Sequence, residues 1–169
     1  MSKKTQIGLL GKLHDVCPVV NRILVNMQSG EDEWLFGLIP LLPLLSNSRG
    51  SKELTHRRAF RCADWAVREV APFLSNTAGC YEQAQQLYNL APIVDKASAK
   101  AAEVVAKTAS DVVRWRSVIA YACGAACFVG NSSYVGCAEY VGNIAETMVN
   151  NGEDSPFLLL KELLEMKEG

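Results

Sequence analysis

The stretch Ala97–Asn143, ASAKAAEVVAKTASDVVRWRSVIAYACGAACFVGNSSYVGCAEYVGN, decides the fold class. Alanine recurs at Ala97, Ala99, Ala101, Ala102, Ala106 and Ala109, then at Ala120, Ala122, Ala125 and Ala126, and glycines stand at 124, 130, 136 and 142. Alanine is the best helix former, and small side chains let packed helix axes approach closely. The stretch therefore predicts tightly packed helices. Pro92 fits a first helical turn, but a helix from there to Val129 would be unusually long. A break is expected near Ser110 or Gly124. Asn131 or Ser132 then caps a further helix to Val149, and Asn150-Asn151-Gly152 ends it.

One short similarity lies inside this stretch. Gly124-Ala-Ala-Cys-Phe-Val-Gly-Asn131 aligns with Gly136-Cys-Ala-Glu-Tyr-Val-Gly-Asn143, so that Phe128 corresponds to Tyr140. The pair reads either as two equivalent helix ends that dock an aromatic in the same way or as chance in a biased stretch. Twelve residues is no solenoid period, and chance weighs more.

The remaining sequence is also periodic at helical spacing. Ile7, Leu10, Leu13, Val16 or Cys17, Val20, Leu24 and Met27 form one stripe, which Pro18 kinks or restarts. Trp34–Leu45 is apolar on every side and is broken by Pro40 and Pro43. Such a segment is core or a partner surface. Ser46–Ser51 is a loop. A third helix runs from about Lys52 to Leu74, with Pro72 at its fraying end. Thr77 is the expected cap of a fourth, Cys80–Leu90. Ser155-Pro156 starts the last, with Leu158, Leu159, Leu163 and Met166 on its stripe. No strand pattern with hairpin turns competes. The expectation is one all-α domain over residues 1–169, an irregular or orthogonal bundle of about six or seven helices. A helical pair (1–50) leads into the alanine-rich core (51–169).

The 169 residues suffice for one sizeable core. A net charge of -1 gives no global pull towards nucleic acid or an anionic membrane. No secretory leader is legible. Ser117–Gly136 is interrupted by glycine, asparagine and serine, unlike a membrane span of about 20 apolar residues. A soluble, cytoplasmic protein is expected. The cysteines, Cys17, Cys62, Cys80, Cys123, Cys127 and Cys137, sit among alanine and valine, and are expected as free thiols.

Catalytic chemistry has little to build on. There are two histidines, His14 and His56. Cys123 and Cys127 share a helix face, and His14 with Cys17 shares another. With Cys137 these could gather soft ligands, but zinc knuckles have polar turns that are missing here. No metal, no cofactor and no catalytic residue is assigned. The arginines offer more. Arg57, Arg58, Arg61 and Arg68 recur along the third helix, and Arg114-Trp115-Arg116 adds a second basic spot. Arginine and tryptophan are typical interface anchors. The plainer reading, a solvated face paired with Asp64 and Glu69, weighs more.

His56-Arg-Arg-Ala-Phe-Arg-Cys-Ala-Asp-Trp-Ala-Val-Arg-Glu-Val-Ala-Pro-Phe73 resembles the opening helix of a family of bacterial immunity proteins. There a His-Arg start leads into an alanine- and cysteine-containing helix that closes on a proline step, and alanine-rich helices follow. The resemblance spans about residues 56–143. It implies an all-helical protein that blocks a toxin by binding it, without a cofactor. The family's later helices are rich in histidine, whereas this chain has none after His56.

The expected function is therefore non-catalytic protein binding of inhibitor or immunity type. The partner surface would comprise Arg57, Arg58, Arg61, Arg68, Arg114, Trp115 and Arg116. Trp34, Phe36, Leu38 and Leu41 would form a second, apolar surface for a partner or a homodimer. The alternatives are a nucleic-acid binder, which needs those arginines on one continuous face, and a cysteine- or metal-dependent enzyme, which needs a cysteine beside histidine or carboxylate.

Overall fold

A computed structural model of the chain describes residues 15–27, 36–112 and 116–168, and every regular element among them is helical. Helix α1 (Pro18–Asn26) restarts the first stripe, with proline in its first turn, where a missing N–H leaves no intrahelical bond unmade. The upstream part of that stripe and His14 lie outside the described residues. The two prolines cut the apolar segment into a 3₁₀ turn, Ile39–Leu41, and a single helical turn, α2 (Leu42–Leu45).

Helix α3 (Lys52–Asp64) starts on Ser51, whose Oγ accepts the Leu54 N–H at 3.1 Å. Pro72 does not end it. Proline offers the Arg68 carbonyl no N–H, and its ring crowds that carbonyl. The helix widens instead: Trp65–Val70 is π-helical, and the Ala71 N–H reaches the Ala66 carbonyl five residues back. One wide turn absorbs the misfit, and α4 (Ala71–Thr77) carries the helix on. Thr77 caps nothing downstream; its Oγ1 donates to the Phe73 carbonyl at 2.9 Å. Gly79, at φ +77°, makes the turn into α5 (Tyr81–Tyr88).

Helix α6 (Lys96–Val112) begins four residues later than Pro92 suggests, because Asp95 and Ser98 build the cap. The Ser98 N–H donates to Asp95 Oδ1 at 2.8 Å, and the Val94 and Asp95 N–H groups donate to Ser98 Oγ. These bonds from Ser98 hold the Asp95 carboxyl below the usual carboxylate range. The next described helix is α7 (Arg116–Gly130), and Gly124 stays inside it; Ser110 lies within α6, and residues 113–115 between the two are outside the described residues. Helices α8 (Tyr134–Asn150) and α9 (Ser155–Glu165) complete the chain. The stripe of α9 buries Phe157, Leu159, Leu160 and Leu163, while Leu158 faces outward. No described helix is long and apolar enough to cross a membrane.

The small residues do the work that their spacing predicts. Helices α6 and α7 run antiparallel, with Cys123 beside Glu103 and Gly130 beside Ala99. Helix α8 is central, packed against α7, α1 and α3. A Cβ at Gly142 would fall 2.5 Å from Asn26 Cβ and 3.0 Å from the Ile23 carbonyl oxygen. Glycine is what lets α1 lie on α8.

The twelve-residue similarity has a geometric counterpart. Gly124 of α7 seats the Tyr140 ring, where a Cβ would lie 2.6 Å from the ring edge, and Gly136 of α8 seats the Phe128 ring. Phe128 and Tyr140 meet at 5.2 Å between centroids. Each copy supplies the aromatic that fills the other's glycine notch, so two antiparallel helices exchange equivalent contacts.

Candidate partner-binding groove

The four arginines of the third helix have separate placements. Arg58 is 2 % exposed. Its Nε donates to the Leu163 carbonyl at 2.7 Å, Nη1 to the Ser48 carbonyl at 2.6 Å and Nη2 to the Met166 carbonyl at 3.4 Å. The last carbonyls of α9 have no intrahelical donor and carry the negative end of its dipole. Arg58 supplies that donor and that charge. As a partner-contact residue it is therefore corrected: it points inward, and the continuous arginine face that nucleic-acid binding requires is interrupted at this position.

Arg61 grips Glu162 with Nε at 2.6 Å and Nη2 at 2.8 Å, and its Nη1 lies 2.8 Å from Glu69. Burial works against its charge, but the Glu162 and Glu69 carboxylates more than reverse this, and its pKa is held above the usual arginine value. Arg68 donates to Asp64 at 3.1 Å and to the Leu90 carbonyl at 2.9 Å. Asp64 in turn accepts the Ile93 N–H at 2.9 Å. This pair pins the loop after α5 against α3. Arg57 is the exposed member, with one bond to the Lys167 carbonyl at 3.2 Å. Arg114 and Trp115 lie outside the described residues, as does the side chain of Arg116.

The pinned loop and the chain after α9 rise on either side of α3 and leave a groove of about 430 Å³. Arg57, Phe60 and Arg61 form its floor and one rim; Pro92, Val94 and Met166 form the other walls. Val94 is 69 % exposed. The groove thus sets guanidinium groups beside an apolar surface. Two of its residues, Arg57 and Arg61, belong to the set that the sequence singles out. Pro92 and Val94 were not identifiable as site residues, because a loop wall has no periodicity; the one signal is an exposed valine held between a proline and a helix cap.

The proposed apolar surface divides. Leu38 and Leu41 are buried, together with Leu45, since their three- and four-residue spacing turns them to one inner side. They are corrected as contact residues. Phe36 is 74 % exposed, and Trp34 lies outside the described residues.

The cysteines are free thiols. Cys17, Cys62 and Cys137 are buried. Burial pushes the Cys62 thiol well up, with neighbouring Cys137 and Cys17 adding to it, and pushes Cys137 up to about 12. Cys123 is raised by burial and then by Glu103; Cys127 is raised by burial and by a hydrogen bond with Glu103. At neutral pH these four thiols are protonated, whereas a nucleophile or metal ligand needs the thiolate. His56 is occupied by stacking on Tyr134 at 3.9 Å. Among the described residues no three His, Cys, Asp or Glu side chains are placed to hold a metal ion.

Comparison with protein-family models, with curated proteins and with solved structures finds no match.

Proposed function

We propose that this chain is a non-catalytic protein-binding protein of inhibitor or immunity type, and that it seats a segment of its partner in the groove between α3 and the Ala91–Val94 loop. The observation that carries the reading is the pairing of exposed Arg57 with exposed Val94 and half-buried Phe60 across one groove. Arginine and aromatic anchors in a concave site are what protein interfaces concentrate their energy in. The groove suits a segment with a carboxylate next to an apolar side chain, since a carboxylate meets a guanidinium with two parallel hydrogen bonds. Arg61 and Arg68 hold the groove's shape through internal pairs, and Arg57 offers an exposed charge.

The resemblance of residues 56–73 to bacterial immunity proteins agrees with this reading and suggests a toxin as the partner, in the cytoplasm. Raised thiol pKa values favour binding over cysteine catalysis. The test is affinity capture from host lysate treated with nuclease, comparing the natural chain with the double variant Arg57→Glu, Val94→Asp. Both sites are exposed, so helical circular dichroism should be unchanged. A stoichiometric protein that the natural chain retains and the variant loses supports the proposal. Equal retention by both moves the contact elsewhere, and no retained protein refutes it.

A further inference from the structure

A second concave site lies further along the α3–α4 helix, where the π-helical turn widens it. Trp65, Glu69 and Val70 of that turn face Phe73, Tyr88, Met148, Glu153 and Ser155 across a cavity of about 330 Å³. That volume is at the small end of the roughly 300–1,000 Å³ that ligand pockets occupy. π-helical turns concentrate at functional sites, and this one lends four residues to the wall.

Its chemistry is specific in two respects. Three aromatic rings, Trp65, Phe73 and Tyr88, border it without stacking on one another, and Phe73 and Tyr88 are half exposed. The charged groups are unequal. Arg68 lines the cavity but is spent on Asp64 and the Leu90 carbonyl, and Glu69 is bridged to Arg61. Glu153 has no ion-pair partner among the described residues, so the unspent charge is negative.

We infer that this cavity binds a small organic ammonium ion. Aromatic faces attract the ammonium charge, and Glu153 balances it. A neutral ligand of the same shape would fill the volume but forgo the charge. An anion would face Glu153 and Glu69. The site is separate from the proposed groove, so the inference does not rest on that reading.

Choline and 3,3-dimethyl-1-butanol, which differ in charge but hardly in shape, make the test. The full chain, labelled at its methionine methyl groups, is titrated with each at constant ionic strength, and the Met148 methyl resonance is followed by NMR. Saturable choline binding that moves Met148, with about tenfold weaker binding of the alcohol, is expected. Glu153→Gln and Tyr88→Leu should each narrow that preference; Tyr88 is half exposed, so its replacement leaves the fold intact. Equal binding of the two probes, absence of choline binding, or choline binding that leaves Met148 unmoved would overturn the inference.

Discussion

Replacing Arg58 by methionine separates a structural arginine from a binding one. Methionine keeps most of the buried aliphatic stem, so the loss falls on the guanidinium bonds. Two of these are short, 2.7 Å to Leu163 and 2.6 Å to Ser48. Hydrogen bonds to a charged group contribute about 1.5–3 kcal/mol each, which gives roughly 3–6 kcal/mol for the pair. Removing the charge also removes the penalty of keeping it out of water. A net destabilisation of about 2–3 kcal/mol remains. For a chain of this size that lowers Tm by about 4–12 °C. The neighbouring Arg57→Met variant loses one exposed bond and should stay within about 0.5 kcal/mol of the natural chain. Urea unfolding followed by circular dichroism measures both. If Arg58→Met is no less stable than Arg57→Met, Arg58 is not the structural arginine of the pair.

Gly142→Ala should destabilise by about 2 kcal/mol or more, because its Cβ meets the backbone of α1. At Gly124→Ala the nearest atoms are those of the Tyr140 side chain, not backbone, and the effect should be milder in the same unfolding assay. Thiol labelling under native conditions should reach Cys80, Cys123 and Cys127, while Cys17, Cys62 and Cys137 react only on unfolding; rapid labelling of Cys137 would refute its burial. The Cys137 thiol is raised from its ordinary 9.0 to about 12, so it favours the folded state below pH 9 and loses that contribution as pH climbs towards 12. Unfolding free energy should therefore drop between pH 9 and 11 by more in the natural chain than in Cys137→Ala; parallel pH profiles would contradict this.

Much of the fold was legible because its signals are local. Alanine spacing foretold the helices that became α6 to α8, and Gly152, at φ +79°, ends α8 where the sequence Asn150-Asn151-Gly152 marks a stop. Pro72 misled because a proline's damage to a helix depends on whether one turn can widen, and that is decided by packing. Arg58 misled for a related reason. It stands beside the exposed Arg57 in sequence, but carbonyls that need its donors belong to α9, about a hundred residues away. The groove has the same origin: α3 supplies Arg57 and Phe60, whereas Val94 and Met166 arrive through tertiary contacts that no period in the sequence announces. Conversely, the reciprocal seating of Phe128 and Tyr140 was present in the sequence as a twelve-residue similarity whose meaning only the antiparallel packing reveals.

The central claim is that a protein partner sits in the Arg57–Val94 groove. A photo-crosslinking residue placed at position 94 tests it most directly in host cells, with a second placed at Val104, which is equally exposed but lies on α6 outside the groove. One discrete crosslinked protein from position 94 and none from position 104 is the predicted result. No adduct at position 94, or the same adduct from both positions, would contradict the claim.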